Sequence, residues 1–407
     1  MNFGLRTIAK LSLYGIFLNY YCYYTIKGTF IPHGTILFFG LACLCVGVDA
    51  LNTGIPAIGM EIKCFILYGV VAAALFFMAQ NPSSVISDVL KYEQRIIIVI
   101  LVAYICEREK SIRFALRLIA ITALACGVAC MMMANDISQK LTVSSGADLS
   151  VNDIGAYMAF GIFAIMYAFG KRGRNNLLTN TLKALGITAM VAVIFVAGSR
   201  KSIFAVAIMG VLLLLMCVGE YGNRWSLSQW LGIILVMVVV YYLLIRRLLP
   251  YAGDTNLFTR LFGRQAENAA ASNESRLELY KLALQEFWNH PIVGLGFNNF
   301  NFVHRNYTHS TYVESLANNG VFGFIYLAPY ISMFRKQLRL IELNKRKSVG
   351  RLKQKEIFVY LIGFLFIGIG IPFMYKDIPC VLLGMFIASQ NISFQELRKK
   401  GACSGEY

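Results

Sequence analysis

The feature that most constrains this chain is a succession of apolar runs. They lie near residues 11–25, 34–49, 63–79, 96–106, 114–134, 154–170, 184–198, 202–219, 229–249, 319–334, 357–374 and 378–390. About 20 apolar residues cross a bilayer as a helix, and a helix satisfies its own backbone N–H and C=O groups in lipid. The runs at 96–106 and 378–390 are short for spans, so a re-entrant form stays open for each. The sequence therefore predicts an all-α, polytopic integral membrane protein with about 12 transmembrane helices. Composition agrees. Hydrophobic residues make up 57% and charged residues 14%, with a mean hydropathy of +0.61. Soluble domains run at about 45–50% and about 25%. Disorder and a disulfide-stapled secreted module are excluded. Residues 1–407 read as a single membrane domain.

The ten cysteines fall mostly in or beside apolar runs, where a free thiol behaves as a small hydrophobe. Cys43 and Cys45 are too close for a CxxC motif, and the longest polar segment has no cysteine. Arg6 and Lys10 ahead of the first run resemble a signal peptide. No small-residue cleavage site follows, so the run reads as a retained span.

The chain has 38 Lys+Arg against 21 Asp+Glu, a net charge of +17. In a soluble protein this would suggest nucleic acid. Here the basic clusters follow the topology. With the N-terminus inside, the inner segments carry Arg108, Lys110, Arg113 and Arg117, then Lys171 to Lys183, the stretch from Arg335 to Lys355, and Arg398 to Lys400. That is the positive-inside pattern. It favours an even number of spans with both termini cytoplasmic. The basic stretch 335–356 reads as a solvated or lipid-facing helix.

Residues 250–318 form the one long outer loop, and it is not low in complexity. A helix is predicted over Glu274–Trp288, capped by Ser272 or Asn273, with Leu277, Tyr280, Leu284 and Phe287 as its apolar stripe. His290-Pro291 ends it, and Gly294-Leu295-Gly296 marks a turn. Such a helix could rest on headgroups or roof a cavity. No internal repeat is visible, which sets the chain apart from two-halved transporters.

Three histidines lie in this loop. His290 fits compensation of a helix C-terminus, and His304 fits an exposed position. His309 precedes Ser310 at a membrane surface, where it could reach a lipid-linked substrate or serve no chemistry. There is no HExxH and no GxSxG, so zinc and a serine nucleophile have little support. Arg200 and Lys201 sit in Gly198-Ser199-Arg200-Lys201-Ser202, a tight outer hairpin. They either snorkel to the interface or bind an anion, for which Arg offers a planar fork of donors. Arg276, read on the first turn of the loop helix, is a cation where the helix dipole disfavours one. Arg246, Arg247, Arg260, Arg264 and Arg305 add to the same face. A negatively charged outer substrate explains them most simply.

Several pieces, in order, resemble the O-antigen ligase and polymerase family of bacterial envelope glycosyltransferases. They are Asn152-Asp153 opening a span, Gly198-Ser199-Arg200, Glu274-Ser275-Arg276, the tail His290-Pro291-Ile292-Val293-Gly294-Leu295-Gly296, and His309-Ser310 followed after nine residues by Gly320-x-x-Gly323. The core of the likeness is residues 150–330. The resemblance implies transfer of a glycan from undecaprenyl diphosphate to a sugar hydroxyl, on lipid A–core or a growing glycan. The expected place is the outer face of the bacterial cytoplasmic membrane. It implies no nucleotide sugar, no cofactor and no metal. Carried over, Arg200 and Arg276 would bind the diphosphate and His309 would act on the acceptor hydroxyl. Asp377 is similar in place to an acidic residue of some ligases, while Lys201 and Arg305 are possible additions. Ligase and polymerase both remain open, and a transporter of an anionic lipid is the reading from another class.

Overall fold

The computed structural model describes residues 2–25, 33–54, 59–133, 151–168, 177–197, 199–217, 265–344 and 348–399. All regular structure among them is helical: α1 Asn2–Thr25, α2 Gly34–Thr53, α3 Met60–Ala74, α4 Pro82–Arg108, α5 Arg113–Met133, α6 Val151–Ala168, α7 Leu177–Ala197 and α8 Arg200–Cys217. Then follow α9 Gln265–Asn289, α10 Asn299–His304, α11 Thr311–Asn319, α12 Gly323–Leu343, α13 Ser348–Gly368 and α14 Asp377–Lys399. Each apolar run read from the sequence overlaps a helix, except 229–249, which lies outside the described residues; the runs 63–79 and 357–374 extend beyond helices that end at Ala74 and Gly368.

Three described helices are long and apolar enough to cross a membrane by themselves: Gly34–Thr53, Leu178–Phe195 and Asp377–Lys399. The first turns Ile36, Leu37, Leu44 and Leu51 outward, each more than 60% exposed. That face suits lipid and would be a liability in water. These apolar helices suit an integral membrane protein.

The two short runs are parts of longer helices. Residues 96–106 are the C-terminal half of α4, whose N-terminal half carries Asp88, Lys91, Glu93 and Arg95. Residues 378–390 open α14, which is buried along most of its length. Its acidic first residue, Asp377, and its last basic residues, Arg398 and Lys399, both complement the helix dipole. The basic stretch 335–356 is no single helix. It is the end of α12 and the start of α13, with Gln337, Leu340 and Gln354 buried.

Polar contacts reveal two ends of the bundle. At one, Arg6 meets Asp49 at 2.8 Å, Lys10 meets Glu109 at 2.5 Å, Lys336 meets Glu61 at 2.7 Å and Asn391 donates to Glu107 at 2.7 Å. At the other, Arg95 meets Asp377 at 2.8 Å, Lys376 meets Asp153 at 2.9 Å and Lys201 Nζ donates to the Gly370 carbonyl at 3.1 Å. The first set joins the start of α1, the end of α2, the start of α3, the end of α4 and the far halves of α12 and α14. The second joins the N-terminal part of α4 and the starts of α6, α8 and α14. Long helices therefore run alternately up and down, and the second end carries α9 to α11.

That outer segment is anchored by Phe297, which is buried against Tyr68, Tyr92 and Tyr375 with ring centroids 5.6 to 6.0 Å apart. Burying one such ring contributes about 1.5–3 kcal/mol. Phe364 and Phe373 stack at 4.4 Å beneath the same end.

Candidate functional site

His309 stands just before α11 with φ 59°, a left-handed conformation uncommon outside glycine. The restraint is the buried Glu314. Its Oε2 accepts from Thr308 N at 2.9 Å and Thr308 Oγ1 at 2.6 Å, while Ser310 N donates to Thr308 Oγ1 at 3.1 Å. Burial pushes the Glu314 carboxyl up to about 7. Sequence reading gave Glu314 no role. Its signal was only a carboxylate inside an otherwise small, neutral helix.

The glycines of the two turn motifs serve this same turn. Leu295 N donates to Ala317 O at 3.0 Å, Gly296 N to Asn318 O at 2.8 Å, and Val321 N to Pro291 O at 2.8 Å. The loop 291–296 is thereby laced to the end of α11. Gly296 has φ 100°, and a Cβ there would strike Ala79. A methyl at this position costs about 2–5 kcal/mol, from backbone strain plus overpacking. The expected result for Gly296→Ala is a clearly lower melting temperature in detergent, by fluorescence-detected gel filtration after heating. Gly210→Ala, with open space at its Cβ, should leave the melting temperature close to that of the unaltered protein.

α11 is fixed on its other side by the connection between α13 and α14. Thr311 Oγ1 donates to Ile371 O at 2.6 Å and accepts from Phe373 N at 2.9 Å. Tyr312 OH donates to Leu365 O at 2.7 Å, and Tyr280 OH on α9 donates to Ile369 O at 2.7 Å. Segment 369–376 is thus part of the site. The sequence reading absorbed most of it into an apolar run.

A cavity of about 380 Å³ opens beside His309. Asp153 and Lys376 line it together with Lys91 and Arg95 from α4. Burial and the charges of Arg276 and Lys201 hold the His309 imidazole down at about 4; Lys376 adds to this and Asp153 opposes it. The ring is therefore neutral at physiological pH, with cations close by.

Of the residues expected from sequence, His309, Arg276 and Lys201 share one electrostatic neighbourhood. Arg200 opens α8, but its side chain lies outside what the structure describes. Gly198 and residues 246, 247, 260 and 264 also lie outside the described residues. Asp377 pairs with Arg95 at the cavity rim. Arg305 is exposed in a left-handed turn after α10 and does not line the cavity.

The basis for Arg276 needs correction. The loop helix is not capped at Ser272 or Asn273; it starts at Gln265 and runs through them. Arg276 is well inside α9, so no dipole argument applies to it. The apolar stripe also shifts. Leu279 and Ala283 are buried against Leu295, Phe300 and Ala317, whereas Leu277 and Leu284 are exposed. His304 is held at 3.1 Å by Glu286, and His290 lies 3.9 Å from the same carboxylate. Neither histidine joins His309 in the cavity.

Residues 184–328 match the family model described as O-antigen ligase. The likeness of this stretch to the O-antigen ligase and polymerase family supports that reading of the chain. No curated protein matches the chain. The family is one of glycosyltransferase-type ligases and polymerases, which supports an enzyme. The matched stretch holds Arg200, Lys201, Arg276 and His309. Asn298, Tyr307 and His309 line the cavity from within the matched stretch, while Arg95, Asp153 and Lys376 line it from outside that stretch.

Proposed function

We propose that this protein is a metal-independent, O-antigen ligase-like glycosyltransferase. It moves a glycan from an undecaprenyl diphosphate donor to a sugar hydroxyl at the outer face of the bacterial cytoplasmic membrane. Both termini are cytoplasmic, and about 12 helices cross the bilayer. The reading rests on one observation above others: a neutral, part-buried His309 facing the charges of Arg276 and Lys201.

In this reading the polyprenyl tail lies in the bilayer and the diphosphate meets Arg276, with Arg200 and Lys201 beside it. As the glycosyl C–O bond breaks, its electron pair passes to the diphosphate oxygen, and fixed cations stabilise the growing charge. The acceptor hydroxyl attacks the anomeric carbon, and its proton passes to His309. A covering α9 limits hydrolysis by water.

The pH dependence has a definite sign. In the free protein His309 stays neutral down to about pH 4, so kcat/KM should hold its value down to that region. A bound diphosphate offsets the nearby cations, which raises the histidine pKa in the complex. The acid limb of kcat should therefore lie at higher pH than that of kcat/KM. Coincident limbs near the unperturbed histidine value of about 6.5 would contradict the assignment.

Polymerase activity uses the same chemistry with a lipid-linked acceptor. Deletion of the gene discriminates: accumulated long lipid-linked polymer marks a ligase, and accumulated single repeat units mark a polymerase. Neither accumulation, with surface glycan unchanged, would count against both.

A further inference from the structure

The cavity beside His309 is electrically balanced in an unusual way. Each of the described cations lining it is matched by a carboxylate. Lys91 meets Asp88 at 3.2 Å, Arg95 meets Asp377 at 2.8 Å and Lys376 meets Asp153 at 2.9 Å. Its other polar groups are uncharged. Asn298 donates through Nδ2 to Asp88 at 2.6 Å, and its buried Oδ1 has no hydrogen-bond partner among the described residues. Tyr307 presents an exposed ring that also contacts Tyr375, with centroids 5.9 Å apart.

We infer that this cavity is the acceptor subsite and that it selects an uncharged saccharide. This rests on the glycosyl-transfer reading above. Three features carry it. The volume, about 380 Å³, falls within the roughly 300–1,000 Å³ of small-molecule sites and suits the terminal sugars of a glycan. Rotation of the Asn298 side chain, which lines the cavity, would bring Oδ1 to a sugar hydroxyl and satisfy an acceptor that is otherwise costly to bury. A sugar's apolar face can lie on the exposed Tyr307 ring. An acceptor with a carboxylate or phosphate would meet Asp88, Asp153 and Asp377 as like charges and compete with them for the three cations. Specificity against acids is thereby built in as an unfavourable arrangement.

The donor diphosphate is assigned to Arg276 and Lys201, which act on His309 without lining the cavity. The imidazole then stands between these cations and the charge-balanced sugar subsite.

The test uses the full-length protein in lipid nanodiscs. Maltose, cellobiose and N,N′-diacetylchitobiose are compared with a glucuronate-containing disaccharide, first by saturation-transfer NMR without donor. At least one neutral disaccharide should show saturation transfer, at least fivefold stronger than the glucuronate compound. Tyr307→Ala should reduce that signal at least fivefold, while Tyr307→Phe retains it. Asp88→Asn leaves Lys91 without its carboxylate and should narrow the neutral-over-acidic preference at least fivefold. In transfer assays Tyr307→Ala should raise the acceptor KM at least tenfold and leave the donor KM within twofold. Stronger binding of the acidic sugar, no saturation transfer from any neutral sugar, or a donor KM that rises with the acceptor KM would overturn the subsite. If the unaltered protein binds neutral sugars but forms no glycosidic bond, the transferase reading fails and the saccharide site stands.

Discussion

Replacing His309 by Ala should lower kcat for glycan transfer by about 10²–10⁴-fold, the usual contribution of a positioned general base. The expected loss is in kcat, with the donor KM little changed, because the imidazole meets the acceptor proton and the cations hold the diphosphate. The residue's left-handed backbone, φ 59°, complicates an Ala substitution on its own. His309→Asn is the companion variant. Asn adopts this conformation readily and cannot act as a base near neutral pH. Both variants should lose activity alike, and both should retain the gel-filtration profile of the unaltered protein. Recovery of activity in His309→Asn would show that backbone geometry alone matters at this position.

The second large effect is expected at Arg276. Arg276→Ala should reduce kcat/KM by about 10²–10³-fold, the scale seen when one preorganised electrostatic donor is removed from a transition state. Arg276→Lys should recover only part of it, since an ammonium keeps the charge and loses the planar fork that fits two phosphate oxygens. The same substitution has a second signature. Arg276 is the leading charge that depresses the His309 pKa, so Arg276→Ala should move the acid limb of kcat/KM upward, towards the ordinary histidine range. A purely structural arginine would lower activity without shifting that limb.

Much of this was legible in the sequence, and for identifiable reasons. Apolar runs mark helices because lipid leaves the backbone no other way to satisfy its polar groups. Where the reading fell short, polar residues interrupted that signal. α4 looked like a short run because Asp88, Lys91 and Arg95 occupy its first half, and those residues line the cavity. α9 looked too short because its first turns, from Gln265, are polar and alanine-rich, without an apolar stripe. That error also supplied the wrong reason for a residue that nonetheless belongs with His309: Arg276 is there because α9 packs along α11, not because it sits at a helix N-terminus.

The contribution of α4, α6 and residues 370–377 was barely legible. Asp377 was singled out, but its neighbour Lys376 was not, though Lys376 is the one that reaches Asp153 across the site. The pairings Arg95–Asp377 and Lys376–Asp153 join residues more than 200 positions apart. No spacing rule relates such positions; only the packed bundle brings them together. The glycines show the converse. Gly294, Gly296, Gly320 and Gly323 were visible as motifs, yet their reason, close backbone approach between two turns, appears only in three dimensions.

The most direct measurement is a reconstituted transfer reaction with purified full-length protein, an undecaprenyl diphosphate-linked glycan and a saccharide acceptor, without added metal. Product is followed by mass spectrometry and released lipid diphosphate by chromatography. The account predicts a new glycosidic bond, equimolar release of lipid diphosphate, and loss of both in His309→Ala and His309→Asn. Equal product from the His309 variants, or a folded unaltered protein that moves the lipid-linked glycan across a vesicle without forming a bond, would contradict it.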